Sequence, residues 1–171
     1  MKSFRDKIAA ITGGGTGMGR ALAEQLAAEG CHVAICDVSA ENMAETRRLC
    51  EAKGTGVRVT THVCDVSDER QMQAFRDALR AEHRTDCLHL LFNNAGIGGG
   101  GSVLVDDRAE WERTFGVCWY GVYYGTRTFL PLLVAAGGRD QREQENETRL
   151  ETPHQLRLRV AFDHEWNLPS E

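Results

Sequence analysis

The chain has no run of 18 or more apolar residues, so no segment reads as a transmembrane helix. Its first seven residues, Met1 to Lys7, lack the apolar core of a secretory signal. Positive charge is also short: 20 lysines and arginines stand against 25 acidic residues, a net charge of -5. With no basic patch, nucleic acid is an unfavourable partner. Six cysteines include no Cys-x-x-Cys pair, and the six histidines are scattered. That spacing excludes the usual zinc and dithiol motifs and leaves free thiols packed as small hydrophobes in a reducing compartment. These absences lead us to expect a cytoplasmic protein with no metal site. One further absence is chemical: no lysine follows Lys53.

What is present begins with Thr12-Gly13-Gly14-Gly15-Thr16-Gly17-Met18-Gly19. An apolar strand-like stretch precedes this run, and a helix-like stretch from about Gly17 to Glu29 follows it. A glycine-rich turn between strand and helix lets backbone approach a diphosphate, and the helix N-terminus offers free N–H groups to it. The run is neither GxGxxG nor a P-loop, because it lacks the closing Gly-Lys-Ser/Thr. ATP and GTP chemistry are thereby disfavoured.

At 171 residues the chain is long enough for one domain with a real core. Residues 1–137 alternate strand-like and helix-like segments. Strands are expected at Ile8–Thr12, His32–Asp37, Val57–Val63 and Leu88–Phe92. Continuous apolar runs such as Val33-Ala34-Ile35-Cys36 suit strands buried on both faces of a parallel sheet. Helices are expected after Ser39 and Ser67 as N-caps, ending near Gly54 and Arg84. A longer one is expected from about Ala109 to Val134, opened by Asp107 and bent at Pro131. The pattern predicts an α/β fold, a three-layer doubly wound parallel sheet in the order 3-2-1-4.

Residues 138–171 differ in character. They hold five arginines, no lysine and eight acidic groups, and Gly138–Arg149 has no large apolar side chain. Residues 138–154 read as a solvated linker or as disorder. Leu156, Leu158, Val160 and Phe162 alternate with Arg157 and Arg159, which suits an exposed edge strand.

Asp37 ends the second strand, 18 residues after Gly19. A carboxylate there can accept hydrogen bonds from both adenosine ribose hydroxyls and would repel a 2′-phosphate. Val38 supplies no compensating cation. NAD is therefore favoured over NADP.

Four features stand in order: Thr12-Gly13-x-x-x-Gly17-x-Gly19, Asp37, Asp65-Val66 and Asn93-Asn94-Ala95-Gly96. In these the chain resembles the short-chain dehydrogenase/reductase family over about residues 4–137. The resemblance implies a Rossmann-like cofactor domain and NAD-dependent interconversion of alcohols and carbonyls. It implies a diphosphate held by Gly13, Gly15, Thr16, Gly17, Met18 and Gly19, and an adenine flanked by Asp65 and Val66. Asn93, Ala95 and Gly96 would line the cofactor and tie the central sheet. The family is usually homo-oligomeric, through the long helix.

Departures from the family bear on activity. Its proton relay uses a fifth-strand Ser and a Tyr-x-x-x-Lys helix, in which the lysine lowers the tyrosine pKa. With no lysine after Lys53, none of Tyr120, Tyr123 and Tyr124 can belong to such a pair. Cys118 stands where the family often carries Asn. Tyr120 and Tyr124 share a helical face and are expected to pack, as are Phe115 and Trp119. Arg127 is expected to be solvated. We assign no catalytic residue. The expectation is a truncated or frameshifted, inactive dehydrogenase, or alternatively a non-catalytic dinucleotide-binding module or heteromeric partner. Trp119, Tyr123, Phe129 and Leu133 are expected to be partly exposed, favouring association.

Overall fold

The computed structural model describes residues 3–99 and 107–150, with residues 139–150 described by backbone alone. Four strands form one parallel sheet: β1 (Ile8–Thr12), β2 (His32–Asp37), β3 (Val59–Val63) and β4 (Leu90–Phe92). Their order is β3-β2-β1-β4. Between them run helices α1 (Gly17–Ala28), α2 (Ala40–Glu51) and α3 (Glu69–His83). After β4 come α4 (Arg108–Phe115), a π-helical turn (Gly116–Tyr120) and α5 (Gly121–Leu150). The chain divides into two units, Met1–Ala136 and Gly137 onward.

Strand geometry sends alternate side chains to opposite faces. In β1, Ala9 and Ile11 join a core with Ala23, Leu26 and Ala27 of α1 and Met43 and Cys50 of α2. Ile8 and Ala10 face the other way, into a core with Met72, Phe75 and Leu79 of α3 and Phe129 and Leu132 of α5. All five β1 residues are buried, and the first four, Ile8 to Ile11, form an unbroken apolar run. The sheet is thus the middle of three layers.

Phe129 is fully buried, against the expectation of partial exposure. Its ring meets Phe75 edge-on at 5.4 Å, an arrangement contributing roughly 0.5–1.5 kcal/mol beyond area burial. Trp119 and Tyr123 are exposed, and Leu133 is half-buried.

Several boundaries differ from the expected ones for local reasons. The Arg58 N–H donates to His32 Nδ1 rather than to a strand, and β3 starts at Val59, two residues later than expected. Leu88 donates its N–H to the Leu132 carbonyl of α5, and β4 starts at Leu90. Ser39 caps α2 as expected, its hydroxyl accepting the Asn42 N–H at 3.2 Å. Ser67 does not cap α3: its hydroxyl donates to Asp65 Oδ1 at 2.7 Å, and Asp68 takes the capping position. Asp107 caps α4 by accepting the Ala109 N–H.

The expected single helix over 109–134 is interrupted by the π turn and continues past Pro131 to Leu150. The backbone is helical where the sequence suggested a linker after Gly138. Arg, Gln and Glu dominate that stretch and have good helix propensity even without an apolar stripe. The strand expected near 155–162 and the end of the Gly98–Gly101 run lie outside the described residues. Among the described residues, no helix is long and apolar enough to cross a membrane.

Candidate functional site

The C-terminal ends of β1 and β4 lie side by side, and the loops leaving them are bonded together. Thr12, at the end of β1, is almost fully buried. Its hydroxyl accepts the backbone N–H groups of Asn94 and Ala95, both at 3.0 Å, and donates to the Phe92 carbonyl. The Asn94 amide returns the connection, donating to the carbonyls of Thr12 at 3.0 Å and Gly13 at 3.2 Å. Gly13 has φ +65°, and a Cβ there would lie 2.8 Å from Ala95 Cα. Two backbones meet here that no side chain could separate. Gly19 closes the turn from the other side, because a Cβ on it would collide with the Gly13 carbonyl and the Asn94 amide.

Asp37, at the end of β2, accepts one backbone N–H on each oxygen. Gly15 donates to Oδ2 at 2.9 Å and Ser39 to Oδ1 at 3.1 Å. An ionised carboxylate has about four lone-pair sites, so both oxygens keep accepting capacity. α1 begins at Gly17 with no side-chain cap from Thr16 and no acidic residue in its first turn. The first-turn N–H groups and the positive dipole end are therefore not neutralised from within α1.

A groove of about 470 Å³ opens over these strand ends, within the range of small-molecule sites. Gly13, Thr16, Gly17 and Met18 form one wall, and Ala95, Gly96 and Ile97 another. Asp37 and Val38 stand at one end with Asp65 and Val66 nearby. Asp65 accepts the Ser67 N–H at 2.9 Å, which fixes its carboxylate, and Val66 is buried against Gly121.

Three residues singled out in the sequence do not line this groove. Gly15 acts beneath it through Asp37, and Gly19 through its contact with Gly13. Asn93 turns away: its amide donates to Thr126 Oγ1 at 3.1 Å, and its Oδ1 is buried over Gly125 without a partner. Asn94 lines the groove instead. Arg113, from α4, also reaches it and was not anticipated. Thr12 opens the motif, but its bonding role was not anticipated, because it depends on partners some 80 residues away.

The three tyrosines belong to no Tyr-x-x-x-Lys pair, and each has a neighbour in the structure. Tyr120 stacks on Tyr124 at 5.8 Å, and Tyr124 packs against the core. Tyr123 Oη accepts from Arg127 at 2.9 Å. Cys118 is exposed and donates weakly to the Ile97 carbonyl. The other five cysteines are buried. Burial pushes the Cys31 thiol up to about 12 and the Cys50 thiol up to about 11. A hydrogen bond shared with Cys64, together with burial, raises Cys36 well above the ordinary thiol range. Thiols held protonated in this way are poor nucleophiles and poor metal ligands. Among the described residues, no three His, Cys, Asp or Glu side chains converge to hold a metal.

A parallel 3-2-1-4 sheet, a glycine turn opening a helix and a carboxylate ending the second strand define a doubly wound nucleotide-binding domain. The short chain dehydrogenase family profile matches residues 7–140, and the chain belongs to that family. SadH of Mycobacterium tuberculosis, named as an oxidoreductase, is 39% identical over 137 residues, covering 80% of this chain and 48% of that protein. Among solved structures, a short chain dehydrogenase/reductase of Burkholderia phymatum in complex with NAD is 38% identical with TM-score 0.73. That match covers 80% of this chain and 47% of the other. A metagenomic short-chain oxidoreductase in complex with NADP is 30% identical with TM-score 0.71, over 78% of this chain and 60% of that one. The chain spans about half the length of the curated relatives it matches.

Proposed function

We propose that these residues hold a nicotinamide dinucleotide by its adenosine and diphosphate half, with NAD preferred to NADP, and that they do not transfer hydride. The observation that carries this reading is the Asp37 carboxylate at the groove end, pinned by two backbone N–H groups. Its remaining lone pairs suit the two adenosine ribose hydroxyls, and its charge opposes a 2′-phosphate. Val38 beside it is exposed and uncharged. The uncapped start of α1 suits the diphosphate. Asp65 and Val66 would flank the adenine. Gly13, Thr16, Gly17, Met18, Ala95 and Gly96 would line the rest.

A bound dinucleotide supplies a hydride acceptor or donor. The family's alcohol–carbonyl interconversion also needs a proton relay, and these 171 residues contain no Tyr-x-x-x-Lys pair. We therefore read the chain as a dinucleotide-binding module without the relay. Titration calorimetry with NAD and NADP tests the binding half. NAD should bind at least tenfold more tightly than NADP, and no heat at millimolar NAD would refute it. NADH formation from any alcohol would refute the non-catalytic half.

A further inference from the structure

Arg20 lies on the first turn of α1, just past the glycine run and behind the groove wall. Its Nε donates to the Gly15 carbonyl at 3.0 Å, and its Nη2 donates to the same oxygen. Nη2 also reaches the Asn42 carbonyl at 3.2 Å, and Nε reaches Thr46 Oγ1 at 3.0 Å, both on α2. Thr46 is fully buried, and its hydroxyl lies 2.9 Å from the Gly14 carbonyl and 3.2 Å from that of Gly15. Residue 15 is therefore held at both of its polar groups. Arg20 and Thr46 bond its C=O, while its N–H donates to Asp37 Oδ2 at 2.9 Å.

We propose that Arg20, with Thr46, is a positioning residue for Asp37: by fixing Gly15 it orients the carboxylate that reads the adenosine ribose. This rests on the dinucleotide reading above. Without the clamp, Gly15 can turn and its N–H no longer holds Oδ2. The carboxylate then loses its aim at two ribose hydroxyls, and its charge no longer sits squarely against a 2′-phosphate. Affinity for NAD and discrimination against NADP should fall together. A guanidinium fork can bond one carbonyl twice and a second carbonyl besides, whereas an ammonium cannot hold that geometry.

The test is calorimetry of the whole chain and its Arg20→Met, Arg20→Lys and Thr46→Val variants with NAD, NADP and nicotinamide mononucleotide, alongside thermal melts. In Arg20→Met, NAD affinity should drop about tenfold and the NAD-to-NADP preference should shrink, with Arg20→Lys intermediate. The mononucleotide, which has no adenosine ribose, should show the same affinity or the same lack of binding throughout. Thr46→Val should move in the same direction and substitutes as the test if Arg20→Met does not fold. A variant that binds NAD with the wild-type NAD-to-NADP ratio overturns the positioning role alone. A wild-type chain that binds no NAD overturns the dinucleotide reading and the positioning role with it.

Discussion

Single side chains in this molecule divide into those that meet the groove and those that hold something else in place. Asp37 belongs to the first kind, and its placement at the end of β2 is legible from spacing to the glycine run. Arg20 and Thr12 belong to the second kind, and Asn94, which lines the groove and bonds the Thr12 and Gly13 carbonyls, to both. Their bonds join residues 5 to 83 positions apart, and no periodicity announces them. Asn93 illustrates the limit: two adjacent asparagines look alike in sequence, and only the packing of α5 over Gly125 decides which one faces the groove. His83 is a buried group with no part in the site. Its Nε2 pairs with Thr60 Oγ1 at 2.9 Å, and its Nδ1 is buried without a partner. Burial first, then the nearby charges of Arg58 and His32, lower its pKa from 6.5 to about 4. The folded state therefore binds this proton less readily than the unfolded chain does. Stability should be complete above about pH 6.5, fall as the pH drops towards 4, and level off below that. The loss attributable to this residue is at most about 3 kcal/mol, at roughly 1.4 kcal/mol per pKa unit. Urea unfolding of the wild type and His83→Leu across that range checks it. Equal slopes in the two proteins would refute the assignment.

Elements were more legible than side chains because their signals are local. Buried parallel strands read as apolar runs, and glycines at 30 and 54 mark helix ends where φ is +84° and +69°. Boundaries slipped wherever a tertiary bond competed for a backbone group, as with Arg58 on His32 and Leu88 on Leu132. The π turn was illegible for a different reason: one extra residue in a helix does not disturb composition, and its cause lies in what the helix packs on. Gly116 abuts Ser67 and Gly121 abuts Val66 on either side of it, so the turn is seated against the β3–α3 loop. Capping supplies a prediction at this scale. Ser39→Ala removes the bond from the Asn42 N–H and should destabilise the protein by about 1 kcal/mol. A lower urea midpoint at unchanged slope is the expected result. An unchanged midpoint would mean the α2 terminus finds another partner.

For the molecule as a whole, the central strand makes two pairings of very different reach. Ala9 of β1 lies opposite Val33 of β2, 24 residues on, and opposite Leu90 of β4, 81 residues on. Closing the longer loop costs about 1 kcal/mol more chain entropy. The β1–β2–β3 ladder should therefore form first, and β4 should dock onto it afterwards. The residues that follow β4, Asn94 to Ile97, are one wall of the groove. Refolding should consequently restore strand signal in far-UV circular dichroism before it restores NAD binding, sampled by double-jump mixing. Simultaneous recovery of both would contradict the order. A ligand in this groove would then act on the clock of folding as well as on its endpoint: absent from the barrier, it would leave the folding rate alone and slow only the departure from the native state.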